Sequence, residues 1–144
     1  FYIVGSGVNE EKLKTFAKKK DLRNVTFIVM QPPEEVADLY AAADINLIPL
    51  QKGLIYSALP SKTADCLIAG KPIITCVDEE SRFAHLVQQY GIANAGATCP
   101  KKLCELILRV KCSKANYNAD VLQNDYFKKE ENVKAHCNAL VEMI

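Results

Sequence analysis

Residues 59–74 read LPSKTADCLIAGKPII, and this stretch predicts a loop, a short helix, a glycine stop and a strand. Pro60 ends the preceding segment. Ser61 is a favourable N-cap, because its hydroxyl can accept a hydrogen bond from a free amide of the first helical turn. Gly70 suits the left-handed conformation that follows a helix, and Pro72 prevents the helix from resuming. The apolar residues that follow are typical of a buried strand.

The predicted start of this helix could bind an anion. A helix N-terminus presents unpaired N–H groups and the positive end of the helix dipole, which together favour a phosphate. Lys62 stands on the first turn and Asp65 lies one turn further on. From the residues alone a plainer interpretation stays open, in which Ser61 is only a cap, Lys62 a solvated lysine and Asp65 a surface acid.

The rest of the chain alternates strands and helices. Such alternation, with helices of about ten residues, predicts an α/β fold in which helices flank both faces of a parallel sheet. Asn9 and Asp78 are the expected caps of the helices that follow them. The predicted strands span residues 1–4, 25–29, 45–50, 73–77 and 92–95, and the predicted helices span 10–19, 34–43, 79–90, a stretch from Pro100, and most of 119–144.

Apolar stripes mark the side of each helix that should face the sheet. In the helix over residues 10–19 this stripe comprises Leu13, Phe16 and Ala17. The other stripes comprise Val36, Leu39 and Tyr40; Phe83, Leu86, Val87 and Tyr90; Leu103, Leu106, Ile107 and Val110; and, in the tail, Val133, Cys137, Leu140, Val141 and Ile144.

Composition narrows the class of protein. The 144 residues fit one domain, and 18 Lys and Arg against 17 Asp and Glu give a net charge of +1. This charge gives no reason to expect nucleic acid or an acidic membrane as the main partner. Six cysteines occur without a CxxC pair, and Cys66, Cys76 and Cys104 stand in apolar patterns, so we expect reduced, buried thiols and no metal site. No apolar run approaches the roughly 18 residues of a membrane span.

The central stretch resembles the donor-binding signature in the C-terminal half of GT-B glycosyltransferases of family 4, also called group 1. Those enzymes carry Pro-Ser-Lys, an acidic residue and a small-residue-Gly-Lys-Pro segment, matched here by residues 60–62, Asp65 and residues 69–72. The segments 24–27 and 39–45 resemble the preceding elements of the family. The likeness covers roughly residues 1–110 and is closest to bacterial members that make capsule, exopolysaccharide or O-antigen.

The resemblance implies an enzyme, a retaining glycosyltransferase of the hexosyltransferase type. It would transfer a sugar from a UDP-sugar or GDP-sugar donor to a glycan or lipid-linked acceptor in surface polysaccharide synthesis. Residues 1–144 would be a single Rossmann-like donor-nucleotide-binding domain, the C-terminal half of a GT-B fold. This piece would lack the N-terminal acceptor domain and its own first strand, and would be inactive alone. The expected compartment is the cytoplasm, and the resemblance allows peripheral association with the inner face of the plasma membrane.

The resemblance also implies roles for individual residues. The backbone amides of Ser61, Lys62 and Thr63 would hold the diphosphate, the Lys62 ammonium would neutralise its charge, and Asp65 would accept hydrogen bonds from the ribose hydroxyls. No metal or other cofactor would be required, since the protein itself supplies the positive charge. The resemblance assigns no catalytic residue in this chain.

Three further residues are assigned to the donor site by position. Met30 and Gln31 follow the strand that borders the base in the resembling enzymes, although two prolines alone would also explain a turn there. The family's pair of glutamates, eight positions apart, aligns with Ser57 and Asp65. Ser57 would then lie against the donor sugar, and its hydroxyl cannot replace a carboxylate.

Three other functions are alternatives to glycosyl transfer. A sugar-nucleotide epimerase of the same architecture would turn over donor without an acceptor. A signalling receiver domain needs an aspartate at the end of the third strand, where this chain has Pro49 and Leu50. A dinucleotide site at Gly5 and Gly7 lacks the third glycine of its fingerprint, because that position is Glu10.

Overall fold

The computed structural model describes residues 1–54 and 60–112, with side chains described as far as residue 110. The chain divides into two compact units, a first unit over Phe1–Leu39 and a second unit over Tyr40–Ile144. Each unit contains its own parallel strand ladder. The expectation of a single domain over residues 1–144 stays a prediction. The predicted tail helix and its apolar stripe lie outside the described residues.

The first unit is built on two parallel strands. Strand β1 pairs with β2 so that Ile3 lies opposite Phe27, and the Gly5 amide donates to the Ile28 carbonyl at 3.0 Å. A helix of the predicted length connects them. The elements that begin in this unit are β1 (Tyr2–Val4), α1 (Glu10–Lys19), β2 (Thr26–Ile28) and α2 (Pro33–Ala42).

The second unit contains a three-stranded parallel sheet in the order β3-β4-β5. The central strand β4 is buried along its whole length. Gly70 and Gly91 adopt φ values of +63° and +81° directly after the two helices that they were predicted to end. The elements are β3 (Asn46–Pro49), α3 (Lys62–Ile68), β4 (Ile73–Cys76), α4 (Arg82–Gln89), β5 (Ala93–Asn94) and α5 (Pro100–Cys112).

Helices cover both faces of this sheet, as predicted. Because side chains alternate along a strand, β4 sends Ile73 to one face and Ile74 to the other. The first face packs against α3 and α4, and the second packs against α5. The two clusters are Ile48, Cys66, Leu67, Ile73, Val77, Phe83, Ala84, Val87 and Ile92 on one side, and Ile74, Cys76, Ala95 and Leu106 on the other. The predicted α/β class with parallel strands is therefore confirmed.

Asn9 occupies the N-cap position of α1 as predicted, but its side chain makes no capping hydrogen bond. The predicted cap at Asp78 is wrong. Helix α4 begins at Arg82, not at residue 79, and its cap is Ser81, whose hydroxyl accepts from the Ala84 amide at 3.1 Å. The reason is that Asp78 belongs to a turn closed by the Ser81 amide donating to the Asp78 carbonyl at 3.1 Å.

Some predicted burial is also wrong. In α1 only Ala17 is buried, while Leu13 and Phe16 are exposed, because the described two-stranded ladder covers little of the helix. Cys66 and Cys76 are buried free thiols as expected, but Cys104 is exposed. It lies beside the stripe of α5 that faces the sheet. That stripe, Leu103, Leu106, Ile107 and Val110, packs against the second cluster as predicted.

Candidate functional site

The candidate site of the second unit lies at the carboxyl ends of β3 and β4. Open parallel sheets bind ligands outside this edge. The loop after β3 leads to the start of α3, and the turn after β4 leads to α4, so both connections belong to the same edge. Strand β3 ends at Pro49, and residues 50–54 carry no carboxylate. The aspartate that a receiver domain would need there is therefore absent from this described loop.

The first turn of α3 differs from the predicted capped start. Ser61 is already helical, with φ −55° and ψ −37°, and its side chain makes no capping hydrogen bond. The Thr63 amide donates to the Pro60 carbonyl at 2.9 Å, and the Ala64 amide donates to the Ser61 carbonyl at 3.2 Å. The prediction of Ser61 as a side-chain cap is therefore wrong, because a tight backbone turn begins the helix.

The predicted diphosphate ligands do not all face solvent. Ser61 and Asp65 are exposed and Lys62 is half-buried. Thr63 is fully buried, and its Oγ1 has no hydrogen-bond partner among the described residues. Its amide is already used by Pro60, so the described geometry offers Ser61 and Lys62 to an anion more directly than Thr63. The donor-site assignment of Thr63 stays a prediction.

Charged residues of α3 act on Cys66 of the same helix and on the partly buried Tyr40. Burial raises the pKa of the Cys66 thiol to about 11, with the Asp65 charge adding to the rise and Lys62 opposing it. The pKa of Tyr40 is also raised, first by burial and then by Cys66 and Asp65. Cys66 is consequently a neutral thiol near pH 7 and a poor candidate for a nucleophile.

Sequence reasoning missed a contact between the loop after β3 and the turn after β4. The Gly53 amide donates to Asp78 Oδ2 at 2.6 Å. Gly53 has φ +84°, and the Leu54 amide donates to the Gln51 carbonyl at 3.2 Å, as expected for a turn with glycine at its third position. The Lys-Gly pair after β3 was the available signal for such a turn, but nothing in the sequence indicated Asp78 as its partner.

A second missed feature is the buried amide of Asn94 at the end of β5. Its Oδ1 accepts from Thr75 Oγ1 and from the Val77 amide, both at 3.1 Å, and its Nδ2 donates to the Val77 carbonyl at 3.1 Å. Asn94 thereby replaces a neighbouring strand at the carboxyl end of β4. This network fixes the backbone immediately before Asp78.

The remaining predicted site residues fall elsewhere. Met30 and Gln31 lie in the first unit, where Met30 is exposed and Gln31 Nε2 donates to the Val29 carbonyl at 2.9 Å. Ser57 lies outside the described residues. The assignment of these residues to the base and sugar pockets stays a prediction.

Two features are absent from the described part of the chain. Across residues 1–54 and 60–112 there is no group of three or more His, Cys, Asp or Glu side chains placed to hold a metal ion. In the same part of the chain no helix is both long and apolar enough to cross a membrane.

Comparisons with known proteins agree with the resemblance seen in the sequence. The family model described as glycosyl transferases group 1 matches residues 1–111. The putative colanic acid biosynthesis glycosyl transferase WcaI of Escherichia coli (strain K12) is 28% identical over 94 residues, which is 65% of this chain and 23% of that protein. The probable glycosyltransferase WbjE of Pseudomonas aeruginosa is 25% identical over 137 residues, which is 88% of this chain and 33% of that protein.

The chain therefore spans 23% and 33% of the lengths of these two curated relatives. No solved structure gives a significant match.

Proposed function

Because this chain belongs to the group 1 glycosyl transferases, we propose that it binds the nucleotide-diphosphate sugar from which the full-length enzyme transfers a sugar with retention of configuration. The observation that carries the proposal is the family match across residues 1–111, which spans every described strand and includes α3. The acceptor is a glycan or a lipid-linked glycan in surface polysaccharide synthesis. The name of WcaI, which refers to colanic acid biosynthesis, supports this pathway class.

The first turn of α3 supplies the chemistry for holding the diphosphate. Ser61 and Lys62 stand at the positive end of the helix, and the half-buried Lys62 ammonium adds a full positive charge. Each charge-assisted hydrogen bond to the ligand would contribute about 1.5–3 kcal/mol. Since negative charge grows on the diphosphate as the sugar bond breaks, these groups stabilise the transition state more than the ground state.

Asp65 lies one turn further along α3 and is exposed, so its carboxylate can accept hydrogen bonds from ligand hydroxyls. We assign it to the ribose. In this proposal the Lys62 ammonium and the backbone amides of Ser61 and Lys62 bind the diphosphate without a bound metal. A chelator should then leave donor affinity unchanged. If donor binding is lost when a chelator is present and is restored by added Mg²⁺, the proposal of metal-free binding is overturned.

The test is donor binding by the full-length protein. Titration with UDP-, GDP- and ADP-glucose identifies the base, and Lys62→Ala should weaken the preferred donor about 10-fold to 100-fold. Asp65→Ala should weaken it about 10-fold. Matched controls are Lys101→Ala and Glu105→Ala, which remove an exposed first-turn lysine and an exposed acid from α5. Equal losses in the controls, or no loss in either site variant, would contradict the site.

Product analysis tests the reaction itself. Incubation with donor and a lipid-linked glycan should yield a product that keeps the anomeric configuration of the donor. Conversion of the donor sugar into its epimer without an acceptor would instead establish the epimerase alternative.

A further inference from the structure

We propose that Asp78 is a positioning residue for donor binding: its carboxylate holds the Gly53 amide and so fixes residues 50–54, which follow β3 at the carboxyl edge of the sheet. The inference rests on the proposed function, because the ligand that benefits is the nucleotide-sugar donor. It concerns a residue that is neither on α3 nor part of the donor signature. Asp78 acts through Gly53 and is given no contact with the donor.

The contact joins segments that are distant in sequence. Gly53 and Asp78 are 25 residues apart, and the N–H donates to Oδ2 at 2.6 Å. A carboxylate acceptor makes such a bond about twice as strong as one between neutral groups. The positive φ of Gly53, +84°, is a conformation that a residue with a side chain rarely adopts. The loop therefore adopts the turn in which this amide can meet Asp78.

Further hydrogen bonds hold the backbone near Gly53 and at Asp78. On the loop side, the Leu50 amide donates to the Cys76 carbonyl at 3.0 Å, which continues the pairing of β3 with β4 up to the turn. On the other side, Ser81 Oγ donates to the Asp78 carbonyl at 2.6 Å, and the Ser81 side chain is fully buried. The Asp78 carboxylate thus projects from a backbone that cannot move freely.

Residues 50–54 matter because they follow β3 at the carboxyl edge, where open parallel sheets bind their ligands. Restricting these residues in the free protein removes conformations that would otherwise be lost when the donor binds. Preorganisation of this kind strengthens binding without adding a contact to the ligand.

The experiment compares Asp78→Ala with Asp78→Asn in the full-length protein. Asp78→Ala removes the acceptor and should raise the donor dissociation constant and KM about tenfold, the loss expected for one hydrogen bond, with kcat changed less than about twofold. Asp78→Asn retains a carbonyl oxygen without the charge, so it should raise the dissociation constant only about threefold. The control is Glu80→Ala, which removes an exposed acid from the same turn and should leave KM unchanged.

Amide exchange of Gly53 tests the contact without any donor. In the free protein the Gly53 N–H should be protected from exchange in the wild type and in Asp78→Asn, and should exchange faster in Asp78→Ala. If Asp78→Asn raises the donor dissociation constant as much as Asp78→Ala does, the proposal is overturned, because the carboxylate would then act on the ligand directly. Unchanged KM in Asp78→Ala would overturn it as well.

These measurements distinguish a failure of the proposed function from a failure of the positioning role of Asp78. If the wild type binds no nucleotide sugar, the proposed function fails and the positioning role of Asp78 fails with it, while the Gly53 exchange result still reports whether the contact exists. If Lys62→Ala weakens the donor and Asp78→Ala does not, only the role of Asp78 is lost.

Discussion

Strands β1 and β4 are both apolar and both pair in parallel, yet their surroundings differ completely. In β4 the four residues Ile73–Cys76 are each at most 8% exposed. In β1 the residues Tyr2, Ile3 and Val4 are 76%, 41% and 42% exposed. Strand β4 has a partner on each edge and helices on both faces, whereas β1 is paired with β2 alone in the described residues. An apolar run therefore permits burial, and the neighbouring elements determine it.

The largest expected difference between the two strands is in the cost of truncating a side chain. Ile74→Ala should lower the free energy of unfolding by about 2–5 kcal/mol, because it opens a cavity in a fully buried position. Val4→Ala, at a partly exposed position, should cost less than about 1 kcal/mol. Urea denaturation of both variants measures the difference. Equal losses would show that β1 is buried in solution.

The next largest difference in stability should come from removing a buried polar side chain rather than an exposed one. Asn94→Ala leaves the amide and the carbonyl of Val77 without their buried side-chain partner, and each unsatisfied group costs about 1–3 kcal/mol. In the first unit, Gln31→Ala removes an exposed side-chain bond to Val29 and should change stability by less than about 0.5 kcal/mol.

The double variant Asn94→Ala, Thr75→Val provides the control, because Asn94 Oδ1 accepts from the Thr75 hydroxyl at 3.1 Å. The stability losses of the two single variants should therefore not add in the same denaturation assay. If the loss in the double variant equals the sum of the two single losses, the hydrogen-bond network is contradicted.

Substitutions at the N-caps of α4 and α1 should show a smaller difference in stability. Ser81→Ala removes the bond that its hydroxyl accepts from the Ala84 amide and the bond that it donates to the Asp78 carbonyl, and should cost about 1–2 kcal/mol. Asn9→Ala in the first unit should be nearly neutral, since the Asn9 side chain makes no capping bond. Thermal melts of the two variants give the comparison. A melting-temperature loss for Asn9→Ala as large as that for Ser81→Ala would contradict the described start of α1.

The smallest effect near neutral pH concerns the buried thiol. The pKa of Cys66 is raised from 9.0 to about 11 in the folded protein, chiefly by burial. Stability should therefore be unaffected below pH 9 and should fall between about pH 9 and pH 11, where the unfolded chain ionises and the folded chain does not. Cys66→Ala should abolish this component of the pH dependence.

Thiol labelling at pH 8 gives an independent check. Cys104 is exposed and should react quickly with a disulfide reagent, whereas Cys66 and Cys76 should react only after unfolding. Rapid modification of Cys66 in the folded protein would contradict its burial in the core cluster between α3 and the sheet.

Much of the fold was predictable from local patterns. The bounds of α1, Glu10–Lys19, were predicted exactly, and Gly70 and Gly91 adopt left-handed conformations where the helices end. These features depend on residues within one or two turns of each other. The prediction of Asp78 as a cap was wrong because Asp78 belongs to a turn closed by the Ser81 amide, and its carboxylate accepts from the Gly53 amide, 25 residues away.

The candidate site was predictable in the same limited way. The ordered signature around Lys62 indicated the family and the position of the donor helix, and the family match agrees. The burial of Thr63 was not foreseen, because a seven-residue helix has too few positions to show which side faces the core. Asp78 was missed because it carries no motif.

The sequence by itself determined the order of strands and helices, the glycines that end two helices and the family of the protein. Turn chemistry, hydrophobic period and signature spacing are properties of adjacent residues, so they can be read along the chain. Only the tertiary structure decided that β4 is buried while β1 is exposed, and that the Asp78 carboxylate meets the Gly53 amide. Burial and long-range hydrogen bonds depend on which distant segments come together, and that information is distributed over the whole fold.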